Sequence, residues 1–108
     1  MAARKQPFEI LYDDEVAMHV LAIERRYHNL IRKTIVEKLR FEPEVETRIR
    51  KPLVRPSAFG TAWELRFGPK NSFRVFYRVG QSPREVHILA IGVKFGNRLF
   101  VGGEEFEL

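Results

Sequence analysis

An α+β domain is predicted from three features of this sequence. Apolar residues recur with helical spacing before Phe41 and with strand spacing after Gly60. The 108 residues are too few for two independent hydrophobic cores. A hydrophobic content of 44%, with nine phenylalanines, is enough to fill one. The expected arrangement is an N-terminal strand and a helical hairpin packed on a small, mostly antiparallel, twisted sheet. It takes in residues 1–108 as a single domain, with an acidic tail at 103–108.

Residues 7–12 read as the opening strand, with Phe8, Ile10 and Tyr12 alternating against Glu9 and Leu11. Asp13 or Asp14 is the expected N-cap of the first helix. No Gly or Pro interrupts the chain from there to Phe41. Tyr27, Leu30, Ile31, Thr34, Ile35 and Leu39 form one apolar stripe, which predicts an amphipathic helix, and an earlier stripe through Val16, Val20 and Ile23 predicts another. A break between them is placed near residues 24–27. Pro43 ends the helix, because proline has no N–H and its ring clashes with the preceding turn. Residues 42–60 then form a basic connection carrying Arg48, Arg50, Lys51 and Arg55.

Beyond it Trp63, Leu65 and Phe67 alternate with Glu64 and Arg66, and Phe73, Val75, Tyr77 and Val79 alternate with Arg74, Phe76 and Arg78. This pattern predicts two half-buried strands of a hairpin, with Trp63 and Tyr77 on the core side. Residues 85–94 are apolar on both parities around Leu89 to Ile91, as in a central strand. Residues 98–101 predict a last short strand, after which Gly102 and Gly103 release the tail.

The formal charge is +5, and Glu104, Glu105 and Glu107 concentrate negative charge in the tail, so the body is more basic still. Such a body attracts polyanions, nucleic acid or an acidic protein. The absence of cysteine excludes disulfides, a thiolate nucleophile and Cys-ligated zinc. No apolar run approaches the length of a membrane span, and the start MAARKQPFEI lacks a signal-peptide core, so a cytoplasmic protein without a membrane partner is expected. The three histidines have no metal-ligand spacing, and neither a metal nor another cofactor is expected.

If the hairpin loop centres on Lys70, Arg66 lies directly across from Arg74. Like charges so placed repel, and two guanidinium forks on one exposed face make a cradle for a phosphate. A slip of two residues would instead pair Glu64 with Arg78 in a simple salt bridge. Phe76, between Arg74 and Arg78 on the polar parity, is a candidate platform for stacking a base.

The order of elements, and the segments RKPL, WELRFGPKNSFRVFYRV and VHILAIGVK, resemble the RelE/ParE toxin family over nearly the whole chain. The resemblance implies a toxin held silent by a cognate antitoxin. In the RNA-cleaving branch it implies attack by a ribose 2′-OH on the adjacent phosphorus of mRNA, on the ribosome in some members, without a metal. The family's strand arginine falls on Arg74, the basic residue closing the preceding strand on Arg66, and the one after the terminal strand's glycine on Lys94, following Gly92. Phe100 stands where many members carry a base-stacking tyrosine, and Glu64 where some carry lysine.

That chemistry needs cations at the phosphorane-like transition state and a proton acceptor. Arg74, Arg66 and Lys94 suit the first role. Glu64 is the first candidate base and His87 the second, while His19 and His28 read as structural. Arg48, Arg50, Lys51, Arg55, Arg78 and Arg98 would extend the RNA surface, with Phe76 and Phe100 as stacking residues. The family also includes ParE-like toxins that inhibit DNA gyrase and cleave nothing, and a non-catalytic RNA-binding domain is a third reading.

Overall fold

The computed structural model describes residues 6–54 and 63–106. Strand β1 (Glu9–Tyr12) leads into helix α1 (Val16–Leu21), a 3-10 turn at Arg25–Tyr27 and helix α2 (His28–Leu39). The break between the helices falls where the sequence placed it. Neither aspartate caps α1: Glu15 occupies that position without a side-chain bond, and the Asp13 carbonyl accepts from Val16 N–H instead.

The rest is sheet: β2 (Arg50–Pro52), β3 (Trp63–Phe67), β4 (Phe73–Gln81), β5 (Arg84–Phe95), β6 (Arg98–Val101) and β7 (Glu104–Phe106). They lie in the order β2-β3-β4-β5-β6-β7, antiparallel throughout. Central β5 meets β4 along one edge. Its other edge is shared, with β1 parallel to Glu85–Ile88 and β6 antiparallel to Gly92–Phe95.

Ile31, Thr34, Ile35 and Leu39 of α2 are buried, and the helix packs its stripe on the odd-numbered face of the hairpin. Leu65, Val75 and Tyr77 are fully buried there, and Trp63 stacks on Tyr77 with centroids 6.3 Å apart. Leu30 is 42% exposed and drops out of the stripe. Tyr77 Oη donates to the Pro43 carbonyl at 2.6 Å, tying the end of α2 to the middle of β4. Among the described residues no helix is long and apolar enough to cross a membrane.

Two segments read as irregular are ordered. Arg50–Pro52, in the basic connection, pairs with β3, and Glu104–Phe106, in the acidic tail, pairs with β6 rather than being released. Arg55 lies outside the described residues.

Candidate phosphate-binding site

The β3–β4 register places Trp63 across from Tyr77 and Arg66 directly across from Arg74, so the slipped pairing of Glu64 with Arg78 does not occur. The intervening loop, Gly68–Ser72, carries left-handed backbone at Lys70 (φ 53°) and Asn71 (φ 52°), a conformation that non-glycine residues seldom adopt. That turn sets the Asn71 carbonyl 3.1 Å from Arg74 Nε, which donates to it.

Glu64 was expected as a base on an exposed face. It is instead 4% exposed, and its Oε1 accepts from Arg74 Nη1 at 3.0 Å and from Arg66 Nε. One carboxylate oxygen therefore bridges both arginines and offsets their repulsion. Arg74 is itself only 8% exposed, which corrects the reading of it as a surface residue. Burial pulls its guanidinium below the usual value, Glu64 opposes that shift and Arg66 adds to it.

On the other side of β4, Arg74 faces Gly92 of β5, and Lys94 follows two residues along on the same face. Arg74, Lys94, Lys70, Asn71, Ser72 and Gly96 line one cleft of about 520 Å³ at the end of the sheet. Lys94 is partly exposed and makes no ion pair among the described residues. The cleft thus gathers Arg74, held by Glu64 and the Asn71 carbonyl, with Lys94, a further lysine on the loop and turn backbone. It can hold an anion with several oxygens.

Other expected site residues fall elsewhere. His87 is directly across from Arg78 on the same sheet face, four residues along β4 from Arg74, or about 13 Å at strand rise. Its Nε2 lies 3.1 Å from Glu85 Oε1. Arg78 and Arg48 are exposed. Lys51 is across from Glu64, with its Nζ 3.9 Å from Glu46. Arg50 is taken up structurally: its Nη1 donates to the Lys38 carbonyl at 2.6 Å and its Nε to the Val45 carbonyl at 3.0 Å, which ties β2 to the end of α2.

Two stacking candidates need correction. Phe76 is 3% exposed, because Ala90, Leu99 and Val101 form a second small core on the polar parity, with Leu53 and Phe106 packed against it. Phe100 lies across from Val93, on the face opposite Arg74 and Lys94. Arg98 shares that face across from Phe95, is well exposed, and has its Nε 3.9 Å from Glu105. A two-residue turn at Gly96–Asn97 sets this parity, and the Gly-Asn pair between two apolar runs was the signal for it.

Among the described residues no group of three or more His, Asp or Glu is placed to hold a metal ion. A helical hairpin on one face of a mostly antiparallel sheet, with an arginine and lysine cleft at the end of the other face, defines an α+β domain with a candidate anion site. A chain in the crystal structure of the toxin-antitoxin complex RelBE2 from Mycobacterium tuberculosis has the same fold, with a TM-score of 0.65 over 82% of this chain and 99% of that one. The two sequences are 20% identical, so the likeness is one of fold. No protein-family model matches this sequence, and no curated protein does.

Proposed function

We propose that this chain is the toxin of a toxin-antitoxin pair and acts as an endoribonuclease on mRNA, with the cleft at Arg74 and Lys94 gripping the scissile phosphate. The observation that carries the reading is the convergence of these two cations on one cleft with a carboxylate, Glu64, hydrogen-bonded to Arg74 beside it. The likeness of fold to a chain of a toxin-antitoxin complex supports a toxin role and an antitoxin partner.

A phosphate entering the cleft competes with Glu64 for Arg74. As Arg74 turns to the phosphate, Glu64 Oε1 loses one of its two donors, keeps Arg66, and can accept the 2′-OH proton. The O2′–P bond then forms and the P–O5′ bond breaks, giving a 2′,3′-cyclic phosphate and a 5′-hydroxyl. Arg74 and Lys94 stabilise the charge that gathers on the non-bridging oxygens. The leaving O5′ takes its proton from Lys94 or from water.

The test is purified protein incubated with mRNA in chelator, with and without ribosomes, beside a Lys94→Ala control. Cyclic-phosphate ends that appear with the wild type and fall by roughly two orders of magnitude in the variant are expected. Intact mRNA in both arms, together with inhibition of gyrase supercoiling, would replace this reading with the ParE-like one.

A further inference from the structure

The phosphate cleft holds a third cation that the proposed reaction does not use. Lys70 lines it with Arg74 and Lys94 but lies beyond the end of the β3–β4 ladder, on the turn between the two strands. It is exposed and makes no ion pair among the described residues. The cleft measures about 520 Å³, whereas a phosphate has the bulk of about four waters at roughly 30 Å³ each, so one phosphate does not fill it.

The turn that carries Lys70 is fixed relative to both other cations. Asn71 N–H donates to the Gly68 carbonyl and Ser72 N–H to the Pro69 carbonyl, each at 3.0 Å, which closes the turn on itself. Two more of its carbonyls are bonded to the site: that of Asn71 accepts from Arg74 Nε at 3.1 Å, and that of Ser72 accepts from Lys94 N–H at 2.8 Å. At the base of the turn Gly68 lies against the Phe73 ring too closely to carry a side chain. Lys70 is therefore held at a set place beside Arg74 and Lys94, with its own side chain left to move.

The backbone at Lys70 is left-handed, with φ 53° and ψ 28°, a region in which glycine is unstrained and lysine is not. Glycine would make the same turn with less strain. A side chain that adds strain at the mouth of a cationic cleft, and pairs with no acid in the resting protein, is accounted for by a ligand.

We propose that Lys70 is a second phosphate subsite: the phosphodiester next along the RNA from the one at Arg74 and Lys94 pairs with its ammonium, so that the cleft takes two consecutive phosphates of one strand. The inference rests on the reading of the cleft as a phosphate site. A compact charge on a flexible four-carbon stem can follow the second phosphate without dictating its geometry, while the planar fork of Arg74 orients the first. A single carboxylate of a protein partner would engage one of these groups and leave the rest of the cleft unused.

Trinucleotides of 2′-O-methyl RNA with hydroxyl ends test this by NMR titration, because they carry two phosphates, resist cleavage, and can lose one charge at a time. The comparison is the intact trinucleotide against the same one with either linkage replaced by a neutral methylphosphonate. The wild type should bind the intact form roughly 4- to 10-fold more tightly at low salt, and the salt slope of its affinity should be steeper by about 0.7. Lys70→Gly, which suits the turn, should keep Tm at or above the wild-type value, reduce the preference to about twofold, the advantage of offering two phosphates to one site, and remove the extra slope. Lys70→Arg should retain both, and Lys94→Ala should weaken all three trinucleotides. If the wild type shows only the twofold preference while Lys94→Ala still weakens binding, the second subsite is overturned and the phosphate grip stands. A larger preference that survives Lys70→Gly overturns it too, since another group then holds the second phosphate. So does an equal loss on all three trinucleotides in Lys70→Gly, which would put Lys70 on the same phosphate as Arg74. If the wild type binds none of them, the phosphate reading fails and the subsite falls with it.

Discussion

Arg74 lies directly across the β3–β4 ladder from Arg66, and both donate to a single oxygen, Oε1 of Glu64. Two like charges at cross-strand distance destabilise a hairpin unless an anion sits between them. Glu64 is that anion. An acceptor-only group held by two guanidinium forks is also what a phosphate would be, so Glu64 stands in the resting site as an internal counterpart of the phosphate proposed to bind there.

Replacing Glu64 by Gln keeps the shape and one acceptor but removes the charge. The bond to Arg74 is buried and dominates the loss, while the Arg66 side chain is 40% exposed and its share is screened by solvent. A destabilisation of roughly 1 to 3 kcal/mol is expected. Inorganic phosphate should then raise the Tm of Glu64→Gln more than that of the wild type, because the anion takes the place the carboxylate left. An equal response to phosphate in the two proteins would contradict the displacement of Glu64 by ligand.

Lys94 and Arg74 share a cleft but differ in what their removal does to the fold. Lys94 is partly exposed, so Lys94→Ala should leave Tm within about 2 °C of wild type, as surface changes do. RNA cleavage should fall by roughly two to three orders of magnitude. Arg74→Ala strands the buried Glu64 carboxylate and should lower Tm as well as activity, by about 4 °C or more for each kcal/mol lost. Thermal melts of both variants beside a cleavage assay separate the roles. A normal melt for Arg74→Ala would mean that the Glu64 bridge carries no stability.

The hairpin was legible because its alternation is local: Trp63 to Phe67 and Phe73 to Val79 set both parity and register, including Arg66 across from Arg74. Phe76 was misread for the opposite reason. Its cover comes from Leu53, Leu99, Val101 and Phe106, remote residues that no local period announces. The exposed face assumed for Arg74 failed with it, and Glu64 lies buried between the two arginines rather than on an open face. Phe100 was taken as a stacking residue on the resemblance alone, whereas a two-residue turn reverses parity between the paired strands and sets it on the face opposite Lys94. His19 read as structural, and its bond to the β5 backbone depends on how α1 docks, which the stripe through Val16 and Val20 implies only coarsely.

Stability should fall on mild acidification through His19. Burial depresses its pKa in the folded protein, and Glu15 and Asp13 offset this only in part. The unfolded chain therefore takes up the proton first. The stability from the neutral buried ring is fully present above the unfolded value of about 6.5 and is lost as pH falls toward the lower folded value. Protonation would also place a second hydrogen on Nδ1, opposing the Ile91 N–H. Urea melts between about pH 7.5 and 5.5, a window that brackets the unfolded value, should show a declining midpoint in the wild type and a flatter one in His19→Gln. Parallel declines in both would assign the acid sensitivity to other groups.

Of the glycines within strands Gly92 has the least room, and it lies directly across from Arg74 on one side and Val101 on the other. A Cβ there would stand 2.7 Å from the Phe100 carbonyl oxygen, 2.8 Å from Val101 Cγ2 and 3.1 Å from Leu99 Cδ1. The first contact is backbone of the paired strand, so it is relieved only by parting β6 from β5. Gly92→Ala should cost roughly 1 to 3 kcal/mol, as overpacking does, and the cost should be local to that ladder. Amide exchange at Leu99 and Val101 should quicken more than at Leu65 or Val75. RNA affinity should drop as well, because Lys94 sits on the segment of β5 that pairs with β6. Gly96→Ala is the control: nothing lies within 4 Å of its added Cβ, and its φ of +58° should cost about 1 kcal/mol from backbone strain alone. If Gly92→Ala melts like the wild type and exchanges normally along β6, the two strands can separate without penalty, and the close approach at Gly92 does not hold the cleft in shape.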